Sequence, residues 1–277
     1  MKKDKSFTLI ELLVTIAIIG LISSITLVAI DLPGQRQRAK IAKTLEFSQS
    51  IQSALGAEAR GIWEFDEGSD NTATERSGYR NNGTINGGAS YTTDTPQRVV
   101  GQTQGQGKYA LSFNGSTAFV DAGNGSSLQI TLPPITMEAW IKPNTVTATA
   151  YPRGIISKGT LGANGYGIGQ SGNKINLGYH GSGNFNSNAT IVAGTWYHIV
   201  GTIDTGNNAK IYINGQLDST GSVGISTTGG NLLIGVSSVY WFNGLIDEVR
   251  IYGQALTLGQ IQKHYAEGLK KYAQSPY

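Results

Sequence analysis

Cysteine is absent from the sequence of 277 residues, which excludes disulfide bonds and metal sites built on thiolates. A chain of this length can bury enough apolar surface to fold without disulfides, so an extracellular location stays open. Charged residues make up only 14% and the formal net charge is +3, too small to indicate a nucleic-acid-binding surface. Glycine is abundant, with 38 residues against the usual share of about 7%, and this predicts many tight turns.

One segment near the amino terminus, residues 7–30, is predominantly apolar and contains a single formal charge, Glu11. A helix over these residues is long enough to cross the ~30 Å hydrocarbon core of a membrane. A cleaved signal peptide would have a shorter apolar core, of about 7–15 residues. A plain signal anchor does not explain Glu11, because a carboxylate in lipid costs free energy unless it has a partner. Both alternatives remain open beside a third.

The third alternative comes from residues 5–20, KSFTLIELLVTIAIIG, which resemble the amino terminus of type IV prepilins and pseudopilins. In that family a peptidase removes a short basic leader before a phenylalanine and methylates the new amine. A glutamate shortly after the cut is needed for assembly. The resemblance implies cleavage between Ser6 and Phe7, N-methylation of Phe7 and an assembly role for Glu11. The family usually has glycine before the cut, where this chain has the similarly small Ser6.

Elementary electrostatics agrees with this role for Glu11. In an apolar bundle of helices its carboxylate would be stabilised by the amine of Phe7 on a neighbouring subunit, and the pair would fix the register between subunits. The resemblance implies a precursor in the inner or cytoplasmic membrane, with the amino terminus inside and the carboxy-terminal domain outside, followed by an extracellular filament or cell-surface location. The implied partners are other pilin subunits, the prepilin peptidase and the membrane before assembly.

The pilin resemblance implies a leader at 1–6. Composition and periodicity divide the rest of the chain into a predicted helical stalk at 7–60, a large domain at 61–268 and a tail at 269–277. Within the stalk, the prediction is a membrane-spanning part at 7–30, a break near 31–34 caused by proline and an amphipathic helix at 35–59.

The large domain alternates apolar and polar residues in short runs between glycine- and asparagine-rich turns, which predicts β-strands. The predicted strands are 62–66, 109–113, 118–122, 135–142, 154–158, 166–170, 174–179, 196–204, 210–213, 231–234 and 245–252. So many strands without interleaved helices predict an antiparallel sandwich or barrel. Asn-Gly pairs at 114–115 and 214–215 predict hairpin turns, and one later helix is predicted at 258–269.

The blocks ITMEAWIKP, TWYHIVGTID and FNGLIDEVRIYGQALT belong to a succession that resembles the concanavalin A-like, laminin G-type jelly roll. The resemblance covers nearly all of residues 61–268. The predicted fold class is therefore a long amino-terminal α-helix followed by an all-β antiparallel jelly-roll sandwich. Large apolar residues in these blocks are predicted to form the core: Trp63, Phe65, Phe113, Trp140, Trp196, Tyr212 and Ile246.

The jelly-roll resemblance also implies a structural calcium ion (Ca²⁺) near the paired first and last strands. Asp66 follows the first strand and Asp247 lies within the last, and both supply the hard oxygen ligands that calcium prefers. The alternative is that the acids in these strands face solvent or pair with Arg250.

Jelly rolls of this type often bind sugars through loops that carry exposed aromatic side chains. Tyr240 and Trp241 lie just before the last strand and are the candidate ligand-binding residues for a surface glycan or protein ligand, and Tyr151 offers another aromatic side chain. The alternative is that these rings pack in the core or against the stalk.

Catalytic motifs are weak. Some glycoside hydrolases of this fold alternate carboxylates along one strand, and the nearest match here, residues 64–67, is followed by Gly68 where the third carboxylate would stand. His198 alternates with apolar residues and is predicted to be packed or at the surface. We therefore expect no enzyme activity.

Together these features predict a type IV pilin-like filament subunit that displays a laminin G-like adhesion or recognition domain. The alternatives are a membrane-anchored lectin that does not polymerise and, third, a glycoside hydrolase-like enzyme. A domain of this size favours a minor or tip component, while pilus, secretion pseudopilus and competence filament all remain open.

Overall fold

The computed structural model describes residues 59–96, 109–160, 164–178, 183–226 and 229–273, and the single residue Val14. The chain separates into two compact units, residues 1–55 and 56–277. The predicted cleavage position at Ser6 and Phe7, the assembly residue Glu11 and the predicted stalk helices lie outside the described residues. Among the helices that are described, none is both long enough and apolar enough to span a membrane.

The described residues of the second unit form strands and one α-helix. The strands are β1 Ala59–Trp63, β2 Thr72–Ala73, β3 Gly83–Asn86, β4 Ser90–Thr92, β5 Ala110–Asn114, β6 Phe119–Asp121, β7 Ile135–Pro143, β8 Arg153–Thr160, β9 Asn164–Ser171, β10 Lys174–Leu177, β11 Phe185–Asn186, β12 Tyr197–Ile203, β13 Asn208–Ile213, β14 Gln216–Ser222, β15 Leu232–Ile234, β16 Val236–Ser237, β17 Tyr240–Trp241 and β18 Asn243–Tyr252. A 3₁₀ turn spans Ser126–Leu128, and the helix α1 spans Leu258–Ala273.

The strands form two antiparallel sheets. The first sheet has the order β14-β13-β12-β7-β18-β5-β4, with β1 also paired to β18, and the second has the order β11-β10-β9-β8-β15-β6-β3-β2. Strands β16 and β17 form a separate two-stranded sheet. The chain therefore has the all-β antiparallel sandwich that the sequence predicts, and every predicted strand overlaps an observed one.

The core lies between the two sheets because alternate residues of each strand point inward. Along β7, Met137, Ala139 and Ile141 are fully buried in one apolar cluster that includes Ile156 and Ile168 of the second sheet. Each of the buried methionine and isoleucine side chains contributes about 1.5–3 kcal/mol to the free energy of unfolding. Four of the predicted core residues belong to this cluster: Trp63, Phe65, Phe113 and Ile246.

The helix α1 packs against the outer face of the first sheet. It begins with a capping box, in which the Gln260 side chain accepts the backbone N–H of Thr257 at 2.8 Å. Trp140 points outward from β7 and stacks on Tyr265 of the helix, with ring centroids 5.7 Å apart. Trp140 is thus buried beneath α1 and outside the cluster between the sheets, as a second apolar layer.

The remaining predicted core residues also lie outside that cluster. Tyr212 is buried in β13 but is not part of the cluster. Trp196 is only half-buried, and its Nε1–H donates to Asp94 Oδ1 at 3.1 Å. Trp140 and Tyr212 are thus buried core residues, as predicted, although strand alternation does not say which face of the sheet they occupy. For Trp196 the core prediction was wrong.

The two Asn-Gly predictions have opposite outcomes. Asn214 and Gly215 form the two-residue turn between β13 and β14, with φ angles of +50° and +74°. A hairpin at 114–115 is wrong, because β5 and β6 belong to different sheets. There the Asn114 side chain accepts the backbone N–H groups of Ser116 and Thr117 and stabilises a connection that crosses the sandwich.

Candidate recognition site

A short hairpin, β16–β17, carries the two predicted ligand-binding residues. Val236 pairs with Trp241 and Ser237 with Tyr240, so residues 238 and 239 form a two-residue turn. Ser238 has a φ of +55°, the left-handed conformation that such hairpin turns use. The hairpin packs closely on β8, where a Cβ atom on Gly154 would lie 2.6 Å from the backbone nitrogen of Ser237. Glycine at 154 therefore allows this contact.

Aromatic rings lie on both sides of the hairpin, because successive side chains of a strand point to opposite faces. The Tyr240 ring is 5.3 Å from the Tyr151 ring, centroid to centroid, with an interplanar angle of 55°. The Trp241 ring lies 5.7 Å from Phe119 at 63°, an edge-to-face contact. The structure therefore brings Tyr151 to Tyr240 and adds Phe119, which the sequence did not single out.

These residues form a partly exposed surface, which we call the ring patch and define as Phe119, Tyr151, Val239, Tyr240 and Trp241. Val239 at the turn is 69% exposed and Tyr151 is 49% exposed, while the other three side chains are half-buried. A surface with several exposed ring edges and faces is suited to contact with the apolar face of a sugar ring.

One charged residue, Arg153, follows Tyr151 by two positions in the sequence, at the start of β8. Its Nη1 donates to the carbonyl oxygen of Thr147 at 2.8 Å, and its Nη2 donates to Thr147 Oγ1 at 3.0 Å. Burial lowers the pKa of this guanidinium below its ordinary value. Its charge thus lies in a partly desolvated position, oriented by neutral acceptors.

The predicted calcium ligands are placed on adjoining strands. Asp66 follows β1 and is half-buried, with Oδ1 accepting the backbone N–H of Tyr109 at 3.3 Å. Asp247 is fully buried in β18, and its Oδ1 accepts the backbone N–H of Glu248 at 2.8 Å. Calcium takes about six to eight oxygen ligands. Asp66 and Asp247 alone would not supply six oxygen ligands. In the described part of the chain, no group of three or more His, Asp or Glu side chains could hold a metal ion. Calcium binding stays a prediction.

One buried polar cluster, around Glu138, was not predicted from the sequence. Glu138 in β7 is fully buried, and its Oε1 lies 2.9 Å from His198 Nε2 and 3.3 Å from Arg250 Nη1. Its Oε2 lies 2.8 Å from Nδ1 of His264 in α1. Arg250 also pairs with Glu248. The only signal in the sequence was a single acidic residue within an apolar strand.

Burial alone would raise the pKa of Glu138, but His264, His198 and Arg250 together hold it well below its ordinary value. The carboxylate is therefore charged at neutral pH. His198 was predicted to be either packed or at the surface. It is packed, with none of its surface exposed. Because α1 covers the cluster, we interpret it as the attachment of the helix to the sheet and not as a catalytic centre.

The carboxylates of the weak catalytic match are also used to hold loops. Glu67 accepts the backbone N–H of Thr74 at 3.1 Å and the hydroxyl of Tyr91 at 3.2 Å. Glu64 lies 4.0 Å from Arg76 at the surface. Nothing in this geometry points two carboxylates at a common substrate position.

Comparison with known proteins agrees with this fold. The profile of the concanavalin A-like lectin/glucanases superfamily matches residues 113–262, more than half of the chain. The chain belongs to this superfamily. The profile of the prokaryotic N-terminal methylation motif matches residues 1–27, which confirms the predicted resemblance to type IV pilins. No curated protein matches the chain.

Several solved structures are similar to this superfamily member. The binding domain of Paraclostridial Mosquitocidal Protein 1 has a TM-score of 0.61 and 12% identity, over 77% of this chain and 53% of that one. The binding domain of Botulinum neurotoxin DC in complex with SialylT has a TM-score of 0.58 and 15% identity, over 77% of this chain and 52% of that one.

Domain 4 of AbnA, a GH43 extracellular arabinanase from Geobacillus stearothermophilus in complex with arabinotriose, has a TM-score of 0.56 and 22% identity, over 75% of this chain and 98% of that one. The chain spans about half the length of the two toxin binding domains. At these identities the similarity shows the fold, which is a binding-type β-sandwich in these proteins.

Proposed function

We propose that this chain is a type IV pilin-like filament subunit that displays a lectin-like recognition domain at the cell surface. The observation that carries the proposal is the methylation motif at residues 1–27, joined to a superfamily domain that forms a separate compact unit. The precursor would lie in the cytoplasmic membrane with its domain outside. Prepilin peptidase would cut between Ser6 and Phe7, and Glu11 would then pair with the amine of a neighbouring subunit.

Processing and assembly are tested separately. Mass spectrometry of the native protein should find a chain that begins at N-methylated Phe7. Glu11→Ala should leave that cleavage intact but remove the subunit from surface filaments, and Ser6→Gly should be processed at least as well as the wild type. Normal incorporation of the Glu11→Ala subunit would contradict the assembly role of Glu11. Absence of the wild-type protein from surface filaments would favour the alternative of a membrane-anchored lectin that does not polymerise.

We also propose that the ring patch binds a saccharide. The support is the pair of ring contacts around an exposed hairpin, on a fold whose similar structures include one in complex with arabinotriose. The domain is proposed to bind without catalysis, since its buried carboxylates are bonded within the structure. Display by a filament subunit of this size suits a minor or tip component that contacts a surface glycan.

A glycan array with the purified full-length protein in detergent tests this site. Tyr240→Ala and Trp241→Ala should each weaken binding about fivefold or more, since truncating a central aromatic contact costs about 1 kcal/mol or more. Tyr79→Ala is the matched control, because Tyr79 is 45% exposed and lies outside the ring patch. Equal losses in all three variants, or binding that ignores the ring patch, would contradict the proposal.

A further inference from the structure

The Phe119 ring of the ring patch has an amide neighbour, Asn86, in addition to Trp241. The Trp241 and Phe119 rings are 5.7 Å apart, centroid to centroid. On the β3 side, Phe119 pairs directly with Asn86. Val120 and Ile85 point into the core, so Phe119 and Asn86 share the outer face of the second sheet. Paired residues on one face have Cβ atoms about 4.5–5.5 Å apart, which places the Asn86 side chain beside the Phe119 ring.

The Asn86 amide offers an acceptor atom to a ligand. Its Nδ2 donates to the carbonyl oxygen of Thr84 at 2.8 Å, and this hydrogen bond fixes which amide atom is the oxygen. The other atom, Oδ1, accepts no hydrogen bond from another described residue. Asn86 is half-buried, so part of its side chain faces solvent.

The turn after Asn86 is fixed by the connection that leads into Phe119. The carbonyl oxygen of Gly87 accepts the Thr117 hydroxyl at 2.7 Å and Nδ2 of Asn114 at 3.1 Å. A Cβ atom on Gly87 would lie 1.8 Å from the Thr117 carbonyl oxygen, so a residue with a side chain would not fit there. The amide and the ring are therefore held in one arrangement before a ligand binds, which lowers the entropy lost on binding.

The same face of β6 carries one charged residue, Asp121. It stands two residues after Phe119, and a rise of about 3.3 Å per residue places the two Cα atoms roughly 7 Å apart, within the Debye length of about 8 Å at physiological salt. Its carboxylate accepts Nδ2 of Asn231 at 2.9 and 3.0 Å, and none of the ion pairs between described residues includes it. Segments 83–90, 117–123 and 236–243 contain no other charged residue. The charge next to the Trp241–Phe119 rings is therefore negative.

We propose that the ring patch binds neutral saccharides, with one sugar ring against Trp241 and Phe119 and one sugar hydroxyl donating to Asn86 Oδ1. This inference rests on the proposed saccharide binding and specifies the class of ligand. The hydroxyl groups of a neutral sugar are donors, which suits an acceptor amide beside aromatic rings. A carboxylate on a saccharide would meet the like charge of Asp121 and is therefore disfavoured.

The test uses the full-length protein in detergent on an array that carries neutral, sialylated and uronic-acid glycans. The glycans that lose binding in Trp241→Ala should be neutral. Asn86→Ala should weaken the strongest of them about two- to tenfold, because one hydrogen bond is lost. It should also change the preference between glycans that differ in the configuration of one hydroxyl, such as lactosides and cellobiosides. An amide with only a structural role would not alter that preference.

Two further variants separate the amide from the charge. Asp121→Asn keeps the shape of the side chain and removes its charge, so acidic glycans should bind about threefold more tightly at low salt, with neutral glycans unchanged within about twofold. Asn184→Ala is the matched control for Asn86→Ala, because Asn184 is exposed and lies next to β11, at the opposite edge of the second sheet. Thermal unfolding checks that each variant is folded.

The outcomes distinguish this inference from the proposed function. If Asn86→Ala leaves the strength and the preference of Trp241-dependent binding unchanged, the role of Asn86 is overturned and saccharide binding stands. Trp241-dependent binding of an acidic glycan as tight as that of its neutral counterpart would overturn the neutral class. If no glycan on the array binds, the proposed saccharide function fails and this inference fails with it.

Discussion

Replacing Glu138 by glutamine removes a negative charge that His198, His264 and Arg250 share beneath α1. The shape of the side chain is kept, so no cavity forms. The loss arises because the cationic Arg250 and two imidazoles then face a neutral amide at a buried position, that of Glu138. Breaking a buried ion pair by removing one partner costs about 3–5 kcal/mol.

We expect the lower part of that range, about 3 kcal/mol, because the amide oxygen of glutamine can still accept one hydrogen bond and Arg250 keeps Glu248. For a domain of about 150–250 residues, each kcal/mol lowers the melting temperature by roughly 2–4 °C, so the expected shift is about 6–12 °C. The control is Glu267→Gln, which removes a surface pair with Lys263 at 3.6 Å and should cost about 0.3–0.5 kcal/mol.

Tryptophan fluorescence measures this unfolding in the full-length chain, because all four tryptophans lie in the β-sandwich unit. The pH dependence gives a second check. The folded pKa of Glu138 is held below the unfolded value of about 4.3, so its contribution to stability is present above that pH and is lost on acidification. The difference between wild type and Glu138→Gln should therefore be largest near neutral pH and shrink below about pH 4. A loss smaller than about 1 kcal/mol at pH 7 would refute the proposed attachment of α1.

Three further predictions concern other parts of the domain. Gly78→Ala should cost about 1–2 kcal/mol of stability, because the glycine has a positive φ, and Gly87→Ala should cost more. Both glycines have positive φ, but only at Gly87 would a Cβ collide with the Thr117 carbonyl. Equal losses in urea unfolding would contradict this prediction. Lys158 donates to Asn124 Oδ1 and the Gly230 carbonyl, both at 2.6 Å, and burial lowers its pKa to about 8. The unfolded chain then binds more protons than the folded one between pH ~8 and ~10, so wild type should gain stability relative to Lys158→Met over that range, and a flat difference would refute the shift. If calcium binds as predicted, it should raise the melting temperature over that in EDTA and Asp247→Asn should remove the response, whereas identical melting curves for wild type would count against the site.

Two of the longest strands of this fold were predictable, whereas the seven-residue strand β14 was not among the predicted ones. Alternation along β7 and β18 identified both strands within two residues of their observed ends. The two- and three-residue strands β2, β4 and β11 escaped because their pairing is decided by the neighbouring strand and not by their own composition. The prediction at Asn114 failed for a different reason. The Asn-Gly dipeptide forms a hairpin turn at 214–215, but at 114–115 it stabilises a connection between the two sheets.

The candidate site was predictable only in part. Two adjacent aromatic residues before the last strand pointed to Tyr240 and Trp241, but their ring partners Tyr151 and Phe119 come from distant parts of the chain. Glu138 was missed because its partners are on three different elements. A sequence pattern shows which face of one strand a residue occupies, and it does not show which distant side chains meet it there.

The pairing of β1 with β18 has a mechanical consequence for a displayed domain. Ala59 of β1 lies opposite Tyr252, at the end of β18, while the ring patch hairpin enters β18 at its beginning, Asn243. Tension between a bound surface and the amino-terminal side of the domain would pull these two antiparallel strands in opposite directions along their length. The hydrogen bonds between β1 and β18 would then be loaded together in shear and would not break one after another. The pairing of β1 with β18 should therefore make the domain resistant to mechanical unfolding under tension.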